Sequence, residues 1–168
     1  MRDFSTVYDL PNVPAVYAFY SGGRGPKYVA YVGIAGRLKQ RIVQHVIRRD
    51  SSVTTGTSAV NLNPDQVTSL SWWVHPDFTE TVGLKAAEMV AFEILNPALR
   101  SRAGADNAGL TMLADKEFYN RMKSLFTGNP SGTIKFYSLS DGIKEINKLK
   151  KRVDKLEEMI DKLHSRVT

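Results

Sequence analysis

Two short runs decide how this chain is read: Ala15–Tyr20 (AVYAFY) and Tyr28–Val32 (YVAYV), joined through Ser21, Gly22, Gly23, Arg24, Gly25 and Pro26. Both runs are rich in β-branched and aromatic residues, and the glycines and proline between them break any regular period. The pair therefore predicts a β-hairpin with a long loop. Downstream the period changes: Leu38, Ile42 and Val46, with Val43 and Ile47 beside them, recur at helical spacing from Gly36 to about Arg49. Ser51–Gln66 is polar and aperiodic, which predicts a loop. Val67–Val74 predicts a third strand, and Thr81–Leu95 a helix stopped by Asn96 and Pro97. A glycine-rich segment, Arg100–Gly109, leads to a short helix expected at Ala114–Phe126, with Thr133–Tyr137 as a candidate strand. The expected fold class is mixed α/β (α+β), a small antiparallel three-stranded sheet flanked by helices, followed by a C-terminal coiled-coil helix.

From Asp141 the pattern becomes a seam. Ile146, Leu149, Val153, Leu156, Ile160, Leu163 and Val167 alternate three and four apart, with β-branched residues at a and leucine at d. That combination favours a parallel two-stranded coiled coil, in which Glu145 would face Lys150 and Arg152 would face Glu157. A helix docked on its own domain usually shows a wider apolar stripe, so the expectation is a homodimer through residues 141–168. The domain reading is a globular unit over 1–138 and a dimerising coil over 139–168.

Composition narrows the function classes. The chain has 168 residues and no cysteine, which removes thiolate zinc sites and thiol chemistry. The sequence has no apolar run of membrane-spanning length and no apolar stretch behind its first charges. The expectation is a cytoplasmic protein without membrane contact, nucleoid-associated when bound to its partner. The formal charge is +6, and its placement matters more than its size. No acidic residue occurs between Asp9 and Asp50, whereas Arg24, Lys27, Arg37, Lys39, Arg41, Arg48 and Arg49 fall in that interval. The last thirty residues instead hold eight basic and six acidic side chains in near alternation, so the tail adds little to a basic patch.

Two residues sit where a core would not want them. Glu88 lies between Leu84, Ala91 and Leu95 at helical spacing, so a carboxylate interrupts an apolar stripe. Taken alone it reads as a helix-edge residue reaching for water; facing inward, it would need a cation or metal. On the preceding helix Arg37, Arg41 and His45 are four apart, with Arg48 and Arg49 continuing what reads as one basic face opposite the apolar stripe. Trp72 and Trp73 point to opposite sides of their strand; base stacking by one of them competes with burial.

Tyr17 and Tyr31 in the hairpin, Gly33 after the second run, Arg41 eight residues later, His45 four after that, and Glu88 nine before Pro97 form a set. In this order and spacing, over Val13–Arg102, the chain resembles the GIY-YIG nuclease family, and its Arg-x-x-x-His pair and long insertion before the third strand resemble the restriction-endonuclease branch. Two positions depart from the pattern: Ala15 stands where the family name has its first glycine, and Arg100 stands where many members have asparagine, with Asn107 a weak substitute.

The resemblance implies a GIY-YIG-like fold and a metal-dependent endonuclease that hydrolyses DNA phosphodiester bonds, with RNA not excluded. It implies that Tyr17, Tyr31, Arg41, His45 and Glu88 are catalytic. Glu88 would hold one Mg²⁺ or Mn²⁺, Arg41 would grip the scissile phosphate through its planar fork, and Tyr17 would activate water with Tyr31 and His45. Only about one tyrosine in a thousand is phenolate at pH 7, a deficit of roughly 4 kcal/mol, so His45 remains an alternative base. Arg24, Lys27, Arg37, Lys39, Arg48, Arg49, Arg100 and Arg102 would track the DNA backbone. The rival expectation is a non-catalytic nucleic-acid-binding or scaffold protein that keeps the fold and joins partners through its coil.

Overall fold

A computed structural model of the chain describes residues 7–22, 27–55, 62–99, 106–136 and 139–167. Two compact units are present, residues 1–136 and 137–168. The first is built on strands β1 (Ala15–Ser21), β2 (Tyr28–Ala35), β3 (Val67–Trp73) and β4 (Gly132–Lys135). They form one sheet in the order β2-β1-β3-β4, with every pairing antiparallel.

The sheet thus has four strands rather than the expected three. Leu70 pairs with Ile134 and Trp72 with Gly132, and the Trp72 ring occupies the space where a Cβ on residue 132 would stand. A glycine is what lets β4 close over that indole, and its missing side chain is also what weakens the strand signal in the sequence.

Both faces of the sheet are covered, which explains why β1 reads as a continuous apolar run instead of an alternation. Tyr17, Phe19, Tyr31, Leu70 and Trp72 point into one layer, with Leu38, Ile42, Val53 and Leu62 packed on them. Val16, Ala18, Val32 and Trp73 point into the other, as the two-residue period of a strand requires. Both indoles are buried, so neither is available to stack on a base.

The second layer holds α2 (Thr81–Leu95), α3 (Asn107–Ala114) and α4 (Lys116–Thr127). Asn96, in the left-handed conformation at φ 43°, ends α2, and Pro97 prevents its continuation. The helix expected over Ala114–Phe126 is α4, and a further helix, α3, precedes it where the glycine-rich segment was expected to end. The Asp106 carboxylate accepts from the Gly109 N–H at 3.0 Å and that of Asp115 from the Glu117 N–H at 2.8 Å; each therefore caps a separate helix start.

The first layer carries α1 (Leu38–Ile42), which opens into a π-helical turn over Val43–Arg48 and stops at Arg49, φ 57°. The helix is hung from the segment before β1, since the Leu38 and Lys39 N–H groups donate to Val13 and Pro11 carbonyls at 3.0 and 3.2 Å.

The second unit contains α5 (Leu139–Val167), 29 residues long. Its Ile146, Leu149, Val153, Leu156 and Ile160 side chains are each about half exposed. Among the described residues no helix is long and apolar enough to cross a membrane.

Candidate active site

Tyr17 stands at the centre of β1, paired with Gly33 of the edge strand β2. A Cβ at residue 33 would lie 2.7 Å from the Tyr17 hydroxyl oxygen and 2.8 Å from Tyr31 Cε1. Only glycine lets the phenol lean across β2 toward the sheet edge, so this position requires close approach rather than an unusual backbone angle. The Tyr17 and Tyr31 rings are 6.2 Å apart between centroids, and the His45 ring is 5.8 Å from the first and 6.1 Å from the second.

His45 is brought there by the π turn, and it is fully buried. Its Nε2 is 2.7 Å from the Tyr17 hydroxyl, and its Nδ1 is 2.7 Å from Ser51 Oγ. Beyond the left-handed Arg49 the chain doubles back, and the Thr54 and Thr55 N–H groups donate to the Ser51 carbonyl at 3.0 and 2.9 Å. That tight turn presents the Ser51 hydroxyl to the imidazole. A π turn inside a helix is an uncommon feature that often accompanies a site.

The expected basic face is accordingly not one solvated surface. Arg37 precedes the helix as its N-cap, and the π turn over Val43–Arg48 departs from the 3.6-residue period that would keep residues four apart on one face; here Arg37 is exposed, Arg41 half-buried and His45 inside the core. Arg49 is engaged by Asp65, with guanidinium-to-carboxylate distances of 2.5 and 3.2 Å, and Arg48 lies 4.0 Å from Asp50. Lys27 is exposed and Lys39 half-buried. Arg24, Arg100 and Arg102 lie outside the described residues. A cleft of about 390 Å³ runs beside Ile34, Gly36, Arg37, Gln40, Arg41 and Gln44, which places two guanidinium groups on its wall.

Glu88 faces inward, only 3% exposed, and is not at a solvated helix edge. Its charge reaches both tyrosines and raises the pKa of each. The carboxylate on α2 and the phenols on the hairpin therefore share one electrostatic neighbourhood, although they come from opposite layers.

The charge states follow from this burial. Desolvation, then the neighbouring Tyr31, holds the Tyr17 hydroxyl well above its ordinary pKa, with Arg41 opposing through charge and a hydrogen bond. Desolvation and Glu88 likewise raise Tyr31. His45 is pushed down to about 3, first by burial and then by the Arg41 charge. At neutral pH all three rings are uncharged; the Arg41 charge acts on all three and that of Glu88 on the two tyrosines.

For a metal, the local donors are a buried carboxylate and two phenolic oxygens, all hard oxygen ligands suited to Mg²⁺ or Mn²⁺. Among the described residues no group of three or more His, Asp or Glu could hold an ion, so Glu88 would share it with water and a substrate phosphate. His75 serves a structural purpose, since its Nδ1 accepts from the Asp77 N–H at 3.2 Å and caps a short 3₁₀ turn.

Ser51, Thr54 and the close-approach role of Gly33 escape a reading by period. Ser51 and Thr54 lie in an aperiodic polar stretch, and only the glycine two residues after Tyr31 carries a local signal. No family model, curated protein or solved structure compared with the chain matches it.

Proposed function

We propose that the 1–136 unit is a divalent-metal-dependent endonuclease with a GIY-YIG-like fold of the restriction-endonuclease type, hydrolysing DNA phosphodiester bonds. The observation that carries this reading is the convergence of Tyr17, Tyr31, Arg41, His45 and Glu88, drawn from two strands and two helices, with Arg41 also on the wall of the cleft. A packed core alone has no need of a glutamate in its apolar stripe.

In this reading Arg41 binds the scissile phosphate, and Arg37 and Lys27 contact the flanking backbone. When bound at Glu88, the metal supplies charge neutralisation at the phosphoryl oxygens and the leaving oxygen. Tyr17 accepts the proton of the attacking water while passing its own to His45 Nε2, 2.7 Å away. A free phenolate at pH 7 costs more than about 4 kcal/mol, and an imidazolium whose pKa is about 3 costs about 5 kcal/mol at the same pH. Neither ring is a strong base alone. A phosphate on Arg41 removes one of the two causes that hold His45 down, so substrate binding itself shifts the balance toward transfer.

The half-exposed seam of α5 fits a second copy of the chain, whose alternating heptad charges would be complementary. A dimer would present two sites, one for each DNA strand. The rival reading is a non-catalytic binding or scaffold protein.

The two readings separate on supercoiled plasmid, branched and single-stranded DNA, and RNA, each incubated with Mg²⁺ or Mn²⁺. The parent is expected to nick or linearise DNA, and Glu88→Gln, which keeps the volume, is expected to lose at least a hundredfold in rate. No cleavage of any of these substrates by the parent would sink the enzyme reading.

A further inference from the structure

We propose that Ser51, backed by Thr54, is a positioning residue that fixes His45 as the Nδ1–H tautomer, so that its bare Nε2 faces Tyr17. The contacts that hold the ring are those of the structure; the choice of tautomer and its functional consequence rest on the nuclease reading.

Four contacts run in series. Tyr17 Oη to His45 Nε2 is 2.7 Å, His45 Nδ1 to Ser51 Oγ 2.7 Å, Ser51 Oγ to Thr54 Oγ1 2.8 Å, and Thr54 Oγ1 to the Ser51 carbonyl 3.0 Å. Four groups each bring one proton to this chain: the phenol, the neutral imidazole and the two hydroxyls. The chain closes on the Ser51 carbonyl, to which the Thr54 hydroxyl can only donate; that carbonyl also accepts from the Thr54 and Thr55 N–H groups and the Thr55 hydroxyl, so the contacts by themselves allow either direction. With Thr54 donating there, the Ser51 hydroxyl donates to Thr54 and accepts from Nδ1–H, and Nε2 is left bare to accept from the Tyr17 hydroxyl. This is the direction the proposed proton transfer requires.

The direction matters at Tyr17. Its hydrogen is aimed at the imidazole, which leaves the phenol's lone pairs for Arg41 and for a water entering the site. With the opposite tautomer the imidazole would donate to Tyr17, occupy one of those lone pairs, and have no capacity to receive the phenolic proton. The tautomer therefore decides whether the ring is an acceptor in the proposed step.

The test uses the full-length protein and two readouts. Nitrogen-15 NMR of the His45 ring in the parent is expected to show a pyrrole-type Nδ1 and a pyridine-type Nε2. Ser51→Ala and, independently, Thr54→Val are expected to give a mixed or inverted pattern, whereas Ser51→Thr restores the parent pattern. In plasmid cleavage, Ser51→Ala is expected to lower kcat at least tenfold with KM unchanged, and Ser51→Thr to recover it. A pyridine-type Nδ1 in the parent overturns the proposal. So does a parent pattern and parent kcat in both Ser51→Ala and Thr54→Val. The NMR arm stands even if the parent cleaves nothing, so failure of the nuclease reading and failure of this inference are distinguishable; should Ser51→Ala not fold, Thr54→Val carries the same two readouts.

Discussion

Acidification should destabilise this protein through His45. The ordinary imidazole value is 6.5 and the folded value is about 3, so between those limits the unfolded chain binds one proton that the native state refuses. Stability therefore rises with pH across that window and is lost as pH falls through it. Each pH unit is worth about 1.4 kcal/mol, so the 1.5 units from pH 6.5 to 5 cost about 2 kcal/mol. A domain of this size has about 5–15 kcal/mol of stability in total, so the effect is large enough to measure. Urea titrations followed by the fluorescence of buried Trp72 and Trp73, run from pH 7.5 to 5 on the parent and on His45→Gln, would isolate it. The Asp106 carboxyl, held below its usual range chiefly by the Gly109 N–H, loses its contribution only at lower pH, and does so equally in both proteins. The parent should lose about 2 kcal/mol more than the variant. Parallel losses would refute the reasoning, because they would mean that folding does not hold His45 neutral.

Three further outcomes follow from the same geometry. Gly33→Ala should displace the Tyr17 ring, costing about 1–3 kcal/mol in urea unfolding and abolishing cleavage; parent-like stability and activity would contradict the close approach at β2. Leu149→Asp combined with Leu156→Asp should halve the mass seen by sedimentation equilibrium while leaving the fluorescence of the 1–136 unit unchanged, and an unaltered mass would rule out pairing through α5. Arg37→Ala should weaken DNA binding uniformly across sequences and reduce the slope of log K against log salt by about 1; an unchanged slope would remove Arg37 from the phosphate contacts.

The elements legible from sequence were those whose period survives folding. α2 was readable to its last residue because Asn96 and Pro97 act locally, whatever packs on the helix. The β1 and β2 runs were readable because burial on both faces leaves only apolar choices. β4 was only a candidate because its first residue answers to Trp72 across the sheet, a tertiary demand that leaves no local pattern. The same distinction runs through the site. Tyr17, Tyr31, Arg41, His45 and Glu88 were picked out together through the resemblance to the GIY-YIG pattern, whose order and spacing regular elements preserve; of the five only Glu88 also interrupts a local apolar pattern. Even so, the helical period placed His45 on the wrong side, since a polar residue on a helix defaults to solvent until something buried is found to satisfy it. What satisfies it is Ser51, and a hydroxyl in an aperiodic loop carries no period to read. Residues that would do the chemistry must sit on rigid elements, while those that set their protonation need only reach them; the second group is therefore the one a sequence conceals.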